Sequence, residues 1–396
     1  MTIKIPKLSW LFLITTALSI GACSTTEVIK ANSTPAQLAS ITLPNHLYMD
    51  IGILPLDPGI PNTEEAIAKN LIVADVRRAE SQFIAFHLKD SLEATGNWGA
   101  VRVTPKISDA VDLTLSGTIL KSDGERLEVQ FKAVDSKGDI WFDKIYADQA
   151  SKFNYSETQE DPFQDLYNDF SNDLLSFRES LSEKNISEIR TVSSLRYARN
   201  LSPDAFGQYL TTSNGGKTIL HQLPADSDRM LMRVDKIKDR EYLFVDTLDE
   251  YYRTFYRDMK GSYDEWRFAT YEEAINLRRM QKQASTRLLA GAAMIAAGIY
   301  AGSETGTYAG QTGAAGIVAG GVGVLKKGLD RRKEAEIHAE SLRELSQSLG
   351  SEITPYVLSI EGQTIELTGT ADDQYTQWRK ILKDIYLTET STPEGQ

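Results

Sequence analysis

A single cysteine, Cys23, stands in a chain of 396 residues. With no second cysteine, no internal disulfide can staple this chain, so each domain must be held by burial of its own core. Hydrophobic residues make up 41% of the sequence, enough for globular cores and more than a disordered chain carries. The position of the cysteine constrains the chain further. Lys4 and Lys7 give a basic start, Trp10 to Ile20 a short and mostly apolar run, and Ile20-Gly21-Ala22-Cys23 follows. A basic end, an apolar stretch and small residues at a cut come in the order of a secretory signal peptide. The run is too short for a membrane span of about 20 residues, which argues against a plain anchor helix. An ordinary cleaved signal, with Cys23 incidental, is the alternative.

Ile20, Gly21, Ala22 and Cys23 also resemble the bacterial lipobox, in which an aliphatic and two small residues precede the cysteine. The resemblance implies that residues 1–22 are removed and that Cys23, carrying covalent lipid, opens the mature chain. No other cofactor is expected. Ser24 stands where an Asp would direct inner-membrane retention in enteric bacteria. The implied address is therefore the outer membrane, lipid-anchored on the periplasmic face.

The formal net charge is -12, and removal of residues 1–22 takes two lysines and no acids, leaving it near -14. Nucleic acid is excluded as a partner, because phosphate neutralisation needs clustered Lys and Arg and no basic stripe is present. The expected partners are the membrane, through the lipid, and envelope proteins, with a homo-oligomer as an option.

Residues 23–44 are rich in Ser, Thr, Ala and Asn, with Pro35 and Pro44, and read as a lipidated, flexible tether. Residues 45–150 read as a β/α domain. Leu47 to Leu56 forms a strand; Val76, Ala79, Phe83 and Phe86 recur at helical steps; Gly96 is placed to end that helix. Trp98 to Thr104 is a short strand. Val111, Leu113, Leu115 and Ile119, then Leu127, Val129, Phe131 and Ala133, alternate with polar residues, and Ile140 to Tyr146 follows. Asp123-Gly124 and Ser136-Lys137-Gly138 supply turns. The order predicts a strand, a helix, and four strands in an antiparallel meander with the helix on one face.

This block resembles the small β/α domain of the TolB amino-terminal domain and of the curli-secretion channel family, CsgG. The likeness rests on Ile51-Gly52-Ile53-Leu54-Pro55, the helix through Phe83, the segment Ala110 to Gly117, and the hairpin ending in Ile140-Trp141-Phe142. It covers about a quarter of the chain. It implies a part in envelope assemblies, and no catalytic residue carries over.

Residues 151–285 read as a helical region. Phe163, Leu166, Tyr167, Phe170, Leu174, Phe177 and Leu181 form one apolar stripe, and Asp161, Asp165, Asp169 and Asp173 line another face. That row reads as a solvated face or as a docking surface for a basic partner. Tyr242 to Tyr271 is dense in aromatics; Leu248, Tyr251, Tyr252, Phe255 and Met259 fit one buried helix face, with stacking on glycan as the functional alternative.

Residues 286–327 form a glycine-rich segment. Gly298, Gly302, Gly306 and Gly310 recur every fourth residue, and Gly316 and Gly320 repeat the step. Glycine costs about 1 kcal/mol against alanine inside a helix, so the row makes sense where its smooth face packs closely on another helix. It resembles the glycine zippers of other outer-membrane lipoproteins, and assigns helix packing or oligomerisation to these six residues. With a hairpin tip at Ser303-Glu304-Thr305, each arm would reach about 22 Å, short of a bilayer core of about 30 Å. Packed helices, a hairpin entering a membrane on assembly, and an apolar loop stay open.

Residues 328–396 read as a charged helix, a hairpin about Glu361-Gly362-Gln363, and a last helix carrying Trp378, Ile381, Leu382 and Ile385. The fold class is thus α+β: a small antiparallel sheet with a covering helix, a mainly helical region with a glycine-rich helical hairpin, and a C-terminal β-hairpin plus helix. His46, His87, His221 and His338 are scattered and give no zinc helix; no metal is expected. No nucleophile elbow is present, and Gly215-Gly216-Lys217-Thr218 fails as a phosphate loop because Thr211 stands at its first glycine. The expectation is a non-catalytic outer-membrane lipoprotein, a periplasmic scaffold or assembly factor for an envelope or transport complex. The alternatives are an oligomeric CsgG-like secretion or export channel, and an enzyme acting on envelope glycan or peptidoglycan.

Overall fold

The computed structural model describes residues 33–70, 72–156, 160–225, 228–301, 340, 343, 344, 347, 356–360 and 363–391. From Thr34 onward the chain forms one unit. It begins with strand β1 (Ile51–Ile53), the short helix α1 (Glu64–Lys69) and the helix α2 (Ala74–Thr95). Gly96 ends α2 in the left-handed region, φ 68°, donating its N–H to Glu93 O, as the sequence predicts.

Strand β2 (Val101–Val103) follows, then β3 (Leu113–Ser122), β4 (Arg126–Asp135) and β5 (Ile140–Gln149). The sheet order is β2-β1-β3-β4-β5. Strands β3, β4 and β5 form the antiparallel part, joined by turns whose Gly124 and Gly138 take φ 78° and 84°. β1 pairs parallel with both β2 and β3, Ile51 facing Val101 on one side and Leu113 on the other. The meander read from the sequence therefore holds for three strands and not for four. A strand, a helix and a strand in that order make a crossover unit, and α2 is the crossover that a parallel pair needs. β1 is buried along its whole length, and a Cβ on Gly52 would lie 3.1 Å from Val111 Cγ2, so glycine permits the close approach.

After the one-turn helix α3 (Lys152–Ser156), the helices α4 (Gln164–Ser180) and α5 (Glu183–Leu201) complete the layer over the sheet. Phe170 of α4 meets Phe131 at 4.6 Å between ring centroids, and Tyr146 and Phe142 close by, so the apolar stripe of α4 is its packing face. Ser182 caps α5 by accepting from Asn185 N–H at 3.2 Å. The short helix α6 (Pro203–Phe206) leads to a small hairpin, β6 (Leu210–Thr212) and β7 (Thr218–Leu220), which holds the failed phosphate-loop residues. There Lys217 pairs with Asp139 at 2.5 Å.

Helix α7 (Arg229–Ala301) is unbroken over 73 residues, about 110 Å at 1.5 Å per residue. It crosses residue 285, so the helical region and the start of the glycine-rich segment share one helix. The C-terminal hairpin is β8 (Tyr356–Ile360) with β9 (Gln363–Leu367), followed by α8 (Ala371–Ser391). Tyr356 and Trp378 pack on Phe244 of α7, so this last part shares the main core with residues as early as Leu47. Glu340, Arg343, Glu344 and Gln347 are helical, in keeping with the charged helix. Among the described residues no helix is long and apolar enough to cross a membrane.

The tether is shorter than expected. From Thr34 the chain is pinned along α4 and the end of α2. Asp165 Oδ1 accepts from Thr34 N–H at 2.8 Å, and Asn168 Nδ2 donates to Thr34 O at 2.9 Å. Asn172 donates to Pro35 O and accepts from Gln37 N–H, while Asn97 Nδ2 donates to Gln37 O. Ala39 N–H reaches Thr95 O at 2.8 Å. Small polar residues read as linker by composition, but here side-chain amides grip their main chain. Residues 34–44 belong to the body.

Candidate functional site

The groups that sequence patterning leaves unexplained gather where α7 lies on the β/α domain. Val76, Ala79 and Phe83 of α2 form a separate small core with Phe255, Met259, Tyr263 and Trp266 of α7. Burying each large side chain there contributes roughly 1.5–3 kcal/mol. Arg267 sits at its edge with 1% of its side chain exposed, paired at 2.9 Å with the equally buried Asp161 and also with Asp264. Its guanidinium lies 4.2 Å from the Tyr263 ring centroid and under 6 Å from those of Phe83 and Phe163. Burial alone would raise the Asp161 carboxyl, but Arg267, with help from His87 and the Phe163 N–H, holds it down at about 2.

Glu80 of α2 is the second buried acid. It accepts from Ser122 Oγ at 2.6 Å and from the Tyr263 hydroxyl at 2.9 Å, with Arg77 Nε 3.3 Å away. Burial pushes its carboxyl above the ordinary range against the pull of Arg77 and the two hydroxyls. The turn between β3 and β4 closes this corner. A Cβ on Gly124 would stand 2.2 Å from Arg267 O, and Tyr155 donates to Gly124 O at 2.5 Å. Only glycine fits there, for space and for its positive φ.

Further along α7 the ties continue. His87 bridges the Tyr256 hydroxyl at 2.7 Å and Gln164 at 2.8 Å, so both ring nitrogens are hydrogen-bonded. Lys89, nearly buried, pairs with Asp249 at 3.1 Å and Glu93 at 3.0 Å. Arg102 of β2 pairs with Asp246 at 2.6 Å and stacks on Tyr242. The Tyr242 hydroxyl donates to Ala110 O at 2.6 Å. Glu241, fully buried, accepts from Ser108, Tyr375 and Arg379, joining the loop before β3, α7 and α8. From Glu241 to Arg267 these contacts fasten about 39 Å of helix.

Arg267, Lys89, Arg102 and Glu241 each meet a charged partner from another part of the chain, an arrangement that fixes a helix in angle and register. Where α2, β2 and α7 meet, a cleft of about 270 Å³ is walled by Lys89, Arg102 and Arg253 against Asp246, Asp249 and Glu250. A shallow groove of about 640 Å³ lies past the carboxyl ends of β1 and β2, between Pro55, Pro105, Ile107, Gln82 and Asp372. Among the described residues no group of three or more His, Cys, Asp or Glu is placed to hold a metal ion.

Of the residues singled out in the sequence, Gly298 lies in α7. Cys23, Ile20, Gly21 and Ala22, and Gly302, Gly306, Gly310, Gly316 and Gly320, lie outside the described residues. The four-acid row is not one solvated face. Asp161 precedes α4 and is buried on Arg267; Asp165 grips Thr34; Asp173 accepts from Lys144 and Tyr146; only Asp169 is exposed. The aromatics of α7 are mostly packed: Phe244, Tyr252, Phe255, Tyr263 and Trp266 are buried. Arg267, Glu80 and Glu241 were not singled out. Their signal was phase: Glu241 and Arg267 fall in step with Leu248, Tyr252, Phe255 and Met259, on the face that must be buried.

No protein-family model matches the chain, and no curated protein does. Among solved structures, a PelC dodecamer from Paraburkholderia phytofirmans aligns with 40% of this chain and 94% of its own, at 20% identity and a TM-score of 0.18. A likeness of that size carries no argument about fold or function.

Proposed function

We propose that this chain is a non-catalytic outer-membrane lipoprotein on the periplasmic face, a scaffold for an envelope or transport assembly. The observation that supports this most is α7. Its first half is fastened to the β/α body by buried ion pairs and aromatic packing, and the same helix runs on into the glycine-rich segment as far as Ala301. A helix fastened along its first half and reaching the first glycine of that row, Gly298, suits the presentation of a helix-packing face at a set distance from an anchored body. The lipid on Cys23 would supply the anchor and the glycine row the contact, with an envelope protein or a second copy as partner.

The test is the mass of the detergent-extracted native particle. Wild type, Cys23→Ala and a deletion of residues 288–325 are compared from fractionated membranes. The scaffold reading expects an outer-membrane particle larger than a monomer, which falls in mass on the deletion and leaves the membrane fraction with Cys23→Ala. A particle that is monomeric both with and without residues 288–325 would sink the assembly role.

A further inference from the structure

We propose that the gripped strap, residues 34–44, is the surface the body turns toward the bilayer, and that Leu38 and Ile41 rest on a zwitterionic lipid surface. This rests on the lipid-anchor reading of Cys23 and adds to it the orientation of the body. The first support is chain length. From Cys23 to Thr34 the chain is about 11 residues, at most ~40 Å when fully extended and ~18 Å in root-mean-square length if it behaves as a flexible coil. Had residues 23–44 all been free, as composition suggests, that extended reach would be near ~75 Å. The grip of Asp165, Asn168 and Asn172 on the main chain of Thr34, Pro35 and Gln37 halves it. Within the unit that begins at Thr34, the strap is the part next along the chain to that anchor, and the tether bounds how far its first residue can stand from lipid.

The second support is the chemistry of the strap. The grip takes the main chain and leaves large aliphatic side chains outward: Leu38 is 66% exposed and Ile41 70%. No residue from Thr34 to Pro44 carries a charge. With no Lys or Arg on the strap to meet anionic headgroups, and with Asp169 exposed on the adjoining face of α4, the match is to a zwitterionic surface.

The experiment uses the full chain, acylated and reconstituted in phosphatidylcholine vesicles that contain nitroxide-labelled lipid. An acylated Cys23 has no free thiol, so one introduced cysteine takes a fluorophore alone. Labels are placed at Leu38→Cys, Ile41→Cys, Asp169→Cys and, as reference, Gly215→Cys, where a new Cβ meets nothing closer than 3.9 Å. The lipid quencher is expected to reduce emission at positions 38 and 41 at least twofold more than at 215. Quenching at 169 should fall when Asn97→Ala, Asp165→Ala, Asn168→Ala and Asn172→Ala together release the side-chain grip on the strap. Equal quenching at 38, 41 and 215, or quenching at 169 that ignores the release, would overturn the proposal while leaving the anchor intact. Failure of Cys23 to take up labelled fatty acid would overturn the anchor reading itself, and this one with it.

Discussion

Replacing Asp161 with asparagine keeps the volume of the side chain and removes the charge that Arg267 faces in the α7 seat. Arg267 would keep only Asp264, whose side chain is 36% exposed. Removing one partner of a buried pair costs about 3–5 kcal/mol; the remaining carboxylate and the asparagine oxygen recover part of this, leaving roughly 2–4 kcal/mol. A second figure follows from the depressed carboxyl pKa through proton linkage. The Asp161 carboxyl is held at about 2 against an ordinary 3.8. Its contribution is therefore full above pH 4 and lost as pH falls toward 2, about 2 kcal/mol in all. The assay is urea unfolding of wild type and Asp161→Asn, followed by tryptophan fluorescence, since Trp266 lies in the seat. The expected gap is roughly 2–4 kcal/mol at pH 7, shrinking by about 1.5 kcal/mol by pH 2.5. A gap under about 1 kcal/mol at pH 7, or one that does not change with acid, would refute the reasoning, because the pair would then behave as a solvated one.

Two further substitutions probe the same corner. Glu80→Gln keeps the acceptor for Ser122 and Tyr263 and removes a charge that burial disfavours. A carboxyl whose folded value lies above its unfolded one gains stability as pH falls, so the variant should lack that gain between pH 7 and pH 4 in thermal melts. A wild-type curve with the same slope as the variant would count against it. Gly124→Ala drives a Cβ into Arg267 O and strains a positive φ, and should cost about 2 kcal/mol or more. Gly207→Ala, with open space and a right-handed backbone, should cost nothing measurable in the same melts. Equal losses would show that the turn is not wedged against α7.

Much of the fold can be read from one-dimensional pattern. The alternation of Leu127, Val129, Phe131 and Ala133 marks a strand with one buried face, and Gly96, Gly124 and Gly138 sit where a backbone must turn left-handed. The parallel placement of β1 is harder, since three buried residues carry no direction. The strap escapes pattern altogether: the bonds from Asn168 and Asn172 to Thr34 and Pro35 join residues more than 130 apart, and nothing near either end announces them. Asp161 and Arg267 are likewise 106 residues apart. Each looks like a surface charge until the stripe around Arg267 is followed with a helical period.

The unbroken course of α7 makes the seat an angular reference. Each helical residue turns the chain by about 100°, so Gly298, about 31 residues beyond Arg267, points some 220° around the axis from the guanidinium. One residue inserted between them would swing Gly298 by a little over a quarter turn and advance it about 1.5 Å; seven would return it to within about 20° of its bearing while moving it some 10 Å along the axis. Bearing and reach are thus coupled through residue count. The number of residues between Tyr271 and Gly298, where no motif stands, therefore fixes the bearing of Gly298 on the helix more directly than their identity does.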